Sequence, residues 1–90
     1  MRPVVTVLID LPADHPYHRA TLVALGHASE HRRIPIEIQV VPTDTIHDAA
    51  RLATDGSAVI IGPGSPYRDP DAAHAVVREA RERGVPLVGT

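Results

Sequence analysis

Ninety residues, 43% of them hydrophobic and with a formal net charge of −2, set the scale of one small domain with a modest, aliphatic core. All nine cationic residues are Arg and they are scattered, which excludes the basic patch of a nucleic-acid-binding protein. Cys is absent, so the chain holds no disulfide, thiolate metal site or thiol nucleophile; with no leader-like or membrane-length apolar run either, the expectation is a cytoplasmic protein that does not span a membrane.

Val4 to Ile9 is an apolar run broken only by Thr6, and its β-branched content predicts a strand buried on both faces. Asp10 ends it, and a proline-bounded loop leads to a helix from about Tyr17 to Glu30. At 100° per residue His18, Thr21, Leu22, Leu25, Ala28 and Ser29 share one face of that helix, with Arg19, His27 and Glu30 roughly opposite. Ile34 to Val41 alternates, and Pro35 adds to the case for an edge strand with one solvated face. A turn at Pro42-Thr43-Asp44 enters a short helix, Thr45 to Ala53, capped by Thr43 or Asp44 and closed by Asp55-Gly56.

Ala58 to Gly62 is the next buried strand, followed by a proline-rich loop to Pro70. Asp71 to Arg83 is the clearest helix, with Ala72, Ala73, Val76, Val77 and Ala80 as its apolar stripe and Gly84 as its C′ residue. A last strand begins at Val85. The order β-α-β-α-β-α-β predicts an α/β, three-layer architecture: a parallel sheet of about four strands with helices on both faces. That is half of a flavodoxin-like, doubly wound fold, and residues 1–90 read as a single, incomplete domain.

Ligands of open parallel sheets bind beyond the carboxyl ends of the strands, which directs attention to Gly62-Pro63-Gly64-Ser65. Two readings of this loop stand side by side. Its backbone N–H groups point at an anion or oxyanion, or it is a turn that needs glycine for conformation alone. Tyr67 and Arg68 either orient a polar substrate from the same loop or form an ordinary exposed pair. It is neither a Walker A loop nor a dinucleotide fingerprint, and no cofactor is expected. The six His suggest no metal site: His27 and His31 have a chelating i,i+4 spacing, but Glu30 lies at another azimuth. His18 reads as packed against the sheet edge, and His47 with Asp44 and Asp48 as a polar helix face.

Three segments carry a resemblance: His18-Arg19-Ala20 at a helix start, Val59 through Arg68, and Ala80 through Thr90. Together they resemble the class I glutamine amidotransferase domain, in the branch related to the carboxy-terminal region of CTP synthase and its stand-alone relatives. The likeness spans the ninety residues but only the first half of that family's domain. It implies that Gly64 donates a backbone N–H to the oxyanion hole and that Gly62, Ser65, Tyr67 and Arg68 shape the glutamine pocket. Ser65 stands where CTP synthases usually carry a second glycine, and Pro66-Tyr67-Arg68 resembles the stand-alone relatives. Gly89-Thr90 matches the start of the nucleophile elbow, just before the family's catalytic Cys.

The resemblance therefore implies an incomplete domain, inactive as a glutaminase alone: either a truncated gene product or one part of a split enzyme whose second chain carries the missing half with its Cys-His-Glu triad. The alternatives are a non-catalytic assembly module, pairing as a homodimer or with a partner protein, and a small-anion-binding α/β domain.

Overall fold

The computed structural model describes residues 3–62 and 67–89. Four strands, β1 (Val4–Leu8), β2 (Glu37–Val41), β3 (Ala58–Ile61) and β4 (Leu87–Gly89), form one all-parallel sheet in the order β2-β1-β3-β4. This order matches the first four strands of the flavodoxin-like arrangement. Three helices connect them: α1 (Pro16–Arg32), α2 (Ala49–Asp55) and α3 (Pro70–Glu82). The architecture is the α/β fold expected from the sequence, with β2 at one edge as its alternation indicated.

Alternate residues of each strand face opposite sides of the sheet. On one side Leu8, Val59, Ile61 and Leu87 meet Ala53 and Leu52 of α2 and Val76, Val77 and Ala80 of α3, which together make the core. Each fully buried Val or Leu there contributes roughly 1.5–3 kcal/mol. On the other side Val7, Val40, Ile60 and Val88 stand in register across all four strands, beneath α1. That cover is partial. Val7 is fully buried, but Val88 is 59% exposed beside a groove of about 350 Å³ lined also by Ala20, Ala24, Leu25 and Ile60.

Helix α1 starts where Pro16 supplies a preset φ and His15 accepts a hydrogen bond from Tyr17 N at 3.1 Å through Nδ1. His18, Thr21, Leu22, Leu25 and Ser29 turn inward as the periodicity predicts, whereas Ala28 is exposed. Both α1 and α3 close with the paired backbone hydrogen bonds of a Schellman turn. At α3 these run from Val85 N to Ala80 O (2.8 Å) and from Gly84 N to Arg81 O (3.4 Å). At α1 they run from Ile34 N to Ser29 O and from Arg33 N to Glu30 O, both 3.1 Å. The left-handed residue is Gly84 in the first (φ 71°) and Arg33 in the second (φ 55°).

The second helical segment departs from expectation. Thr43–Thr45 forms a 3₁₀ turn, and α2 begins only at Ala49, with Asp48 accepting from Arg51 N at 3.1 Å as its cap. Thr43 does not cap a helix because its amide and hydroxyl are both bonded to Asp10, and the Asp44 carboxylate is drawn to Arg68 instead.

Candidate functional site at the carboxyl edge of the sheet

The order in which strands are added reverses at β1, which pairs in parallel with β2 on one side and β3 on the other. Such a switch point opens a crevice at the carboxyl ends of the strands. Three loops meet there, after β1, β2 and β3, and one side chain joins them. Asp10 Oδ1 accepts from Thr43 N at 2.7 Å; its Oδ2 accepts from the Thr43 hydroxyl at 2.8 Å and from Arg68 N at 2.9 Å. Thr43 is fully buried, and its Oγ1 also accepts from Asp69 N at 3.0 Å. Asp69 in turn caps α3, accepting from Ala72 N at 3.0 Å.

These contacts set the electrostatics. Burial pushes the Asp10 carboxyl upward, but hydrogen bonds from the Arg68 and Thr43 amides and the Thr43 hydroxyl, with the Arg68 charge, outweigh it. The result lies below the ordinary value. The Tyr67 phenol moves the opposite way, raised first by burial and then by the negative charge of Asp10. Its hydroxyl donates to Gly62 O at 2.9 Å, so the proton is already committed within the protein.

Of the residues singled out by sequence, Gly62, Tyr67 and Arg68 come together at this edge, while Gly64 and Ser65 lie outside the described residues. Gly62 N donates to Leu8 O at 2.8 Å, continuing the β1–β3 pairing beyond the last strand residue. A Cβ at Gly62 would stand 3.1 Å from Leu8 O and 3.2 Å from the Ile9 side chain, so glycine here permits a close approach of two strand ends. Arg68 uses its backbone for Asp10 and places its guanidinium 3.7 Å from Asp44, with both side chains about half exposed.

The histidines stay apart from this edge or serve structure. His18 is buried, and its Nδ1 donates to Leu11 O at 2.9 Å, which holds the loop after β1 against α1. His27 and His31 are exposed on α1, and among the described residues no three His, Cys, Asp or Glu come together as a metal site. His47 and Asp48 line a separate depression of about 400 Å³ beside α2.

Sequence reasoning passed over Asp10, Thr43 and Asp69. The available signal was positional: an acid directly after one predicted strand and a hydroxyl two residues after its neighbour both fall at the carboxyl edge of a parallel sheet. Among the described residues no helix is long and apolar enough to cross a membrane. Comparisons of the chain with models of known protein families, with curated proteins and with solved structures found no match.

Proposed function

We propose that these ninety residues are the amino-terminal half of a glutamine amidotransferase-like domain, related to CTP synthase and working in the cytoplasm. In this reading the loop after β3 cradles glutamine. Gly64 offers its backbone N–H to the oxyanion formed when the side-chain amide is attacked. Gly62 and Ser65 shape the pocket, Tyr67 holds the loop from within, and Arg68 takes the substrate's α-carboxylate. The observation that supports this reading is that Gly62, at the end of β3, and Arg68, tied to Asp10, both stand at the switch point.

Hydrolysis by this route needs a thiol whose sulfur attacks the amide carbon, a base to take the thiol proton and return it to the leaving ammonia, and water to cleave the resulting thioester to glutamate. The ninety residues contain no Cys, so the nucleophile with its His and Glu belongs to another segment or a second chain. The test is glutamate release from glutamine by this chain alone and with the product of the neighbouring reading frame. We expect none from the chain alone and activity from the mixture. Turnover by the chain alone would overturn the proposal.

A second reading, a non-catalytic assembly module, is favoured by the partly covered sheet face. Val88 is 59% exposed on edge strand β4, and Ile38 and Val40 are also exposed on the same side at the far edge. Apolar surface beside an open strand edge suits a second protein or a second copy.

A further inference from the structure

Independently of what the chain binds, we propose that two copies pair through β2, edge to edge and antiparallel about a two-fold axis at Gln39, to make one continuous sheet. β2 is an outer strand, and its residues match β1 one to one without a bulge. Glu37 N donates to Pro3 O at 2.8 Å, and Val41 O accepts from Ile9 N at 3.2 Å. Residues bonded to the neighbour alternate along a parallel ladder, so Glu37, Gln39 and Val41 bond β1 while Ile38 and Val40 turn their amides and carbonyls outward. Among the described residues no strand lies beyond them, and no Pro interrupts Glu37–Val41. Both faces beside this edge have room for the side chains of an added strand. On one, a depression of about 400 Å³ separates Gln39 and Val41 from Arg51 and Leu52 of α2. On the other, a groove of about 170 Å³ lies between Leu25 and Ala28 of α1 and Ile34 and Ile36.

The strand is complementary to its own copy. Laid antiparallel on itself end to end, Glu37–Val41 sets Ile38 against Val40 of the second copy, and Val40 against Ile38. These are the outward residues, so each such pair exchanges both of its N–H···O bonds. Ile38 and Val40 are 36% and 37% exposed on one face, where each covers the other, and Gln39 meets Gln39 on the opposite face. Charge sets the direction. Arg32 and Arg33 precede the strand and Asp44 and Asp48 follow it, all exposed, with Asp44 also 3.7 Å from Arg68. Antiparallel pairing brings the basic end of each copy to the acidic end of the other, whereas parallel pairing would set like charges together. Glu37 then falls opposite Val41 of the second copy, at the depression that holds His47 and Arg51 together with Asp48 and Asp55. Pro42, at the next outward position, has no N–H to donate, so the ladder stops there and the two-fold closes the pair.

The experiment follows amide hydrogen exchange in the ¹⁵N-labelled chain at micromolar and millimolar concentration, with sedimentation of the same samples. We expect a dimer to form and exchange at Ile38 and Val40 to slow by at least about tenfold, while Gln39 and Val41, already bonded to β1, change little. Ile38→Pro removes an outward N–H without touching the β1 ladder, and Val40→Lys puts a charge on the shared face. Each should weaken association by at least about tenfold. Should wild type already be dimeric at micromolar concentration, Val40→Lys supplies the monomer for comparison; should Ile38→Pro fail to fold, Val40→Lys decides alone. The chain has no Cys, so Glu37→Cys and Val41→Cys chains, mixed and oxidised, should cross-link to each other in preference to themselves, since residues opposed in this way lie about 4.5 Å apart at Cα. Cross-linking of each with itself instead overturns the antiparallel arrangement. Wild type that stays monomeric at millimolar concentration leaves the edge to a strand of another protein and overturns the proposal. A dimer that survives Val40→Lys overturns it too, as does one lost in Val88→Glu with Ile38 and Val40 unprotected, which would place the contact on the face under α1.

Discussion

Asp10 Oδ2 and the Arg68 backbone N–H, 58 positions apart in sequence, meet at 2.9 Å. Hydrogen bonds to a charged acceptor contribute about 1.5–3 kcal/mol each when their loss leaves a donor unsatisfied. Neither amide at this junction belongs to the interior of the sheet, so water replaces part of what is lost. Asp10→Ala is therefore expected to destabilise the chain by about 2 kcal/mol, read from the midpoint of urea unfolding. A midpoint equal to wild type would show that the junction adds nothing to stability.

The ionisation of Asp10 gives that contribution a pH dependence. The groups facing it are the Arg68 guanidinium and the Tyr67 phenol, with the amide and hydroxyl of Thr43. Its folded pKa lies below the ordinary carboxyl value of 3.8, so the folded state binds the proton less readily than the unfolded chain does. The stability it provides is then fully present above the unfolded pKa and is lost as pH falls through the folded one. Urea unfolding of wild type and Asp10→Asn between pH 5 and pH 2.5 should show curves that converge on the acid side. Curves that stay parallel would contradict the depressed pKa.

Tyr67 provides the alkaline counterpart. Its folded pKa is raised above 10.0, so its contribution is complete below the unfolded pKa and is lost as pH rises through the folded value. Ionisation would also remove the proton that the hydroxyl donates to Gly62 O. Tyr67→Phe should lose part of the wild-type decline in stability above about pH 10, measured by the same unfolding curves. An unchanged decline would assign it to other groups.

Two positions break a local rule without an evident return, and each offers a stabilising substitution. Thr6 is fully buried in the middle strand, and its hydroxyl makes no hydrogen bond to a described residue. Thr6→Val keeps the shape and removes the unsatisfied group, so a gain of about 1 kcal/mol is expected. Arg33 holds φ 55° where the equivalent turn at α3 uses Gly84. A left-handed non-glycine residue costs roughly 1–2 kcal/mol, partly offset by the extra unfolded-state freedom of glycine, so Arg33→Gly should gain about 0.5–1 kcal/mol. Loss of stability in either variant, by urea unfolding, would mean that the native side chain has a role outside these local terms.

How much of this was legible beforehand depended on whether the signal was local. Val4–Leu8, Ala58–Ile61 and α3 announce themselves through runs and stripes that their own residues complete, and parallel pairing follows from the helices between them. The α2 segment misled because Thr43 and Asp44 are good cap residues whose side chains are drawn to Asp10 and Arg68, partners 33 and 24 positions away (43 − 10 and 68 − 44). The carboxyl-edge location of the site could be read from glycine after a buried strand. The Asp10 junction left only a positional trace, an acid and a hydroxyl at two strand ends, because its bonds exist only once three strand ends are aligned.

The sheet face under α1 leads to the last prediction. Val88 lies at an exposed position of β4, so in the lone chain a charge there should change stability by no more than about 0.5 kcal/mol. If a second copy covers the face, the same carboxylate is buried without a partner and the interface is lost. Wild type is then expected to self-associate in sedimentation at rising concentration, and Val88→Glu to abolish that association while leaving the urea midpoint in place. A shifted midpoint would place Val88 in the monomer's own core. Wild type that stays monomeric throughout would remove the second copy as an occupant. In that case the face would remain for the missing half that the half-domain reading requires, and where a second chain supplies that half, mixing with the neighbouring frame's product should protect Val88 from exchange in wild type but not permit complex formation by Val88→Glu.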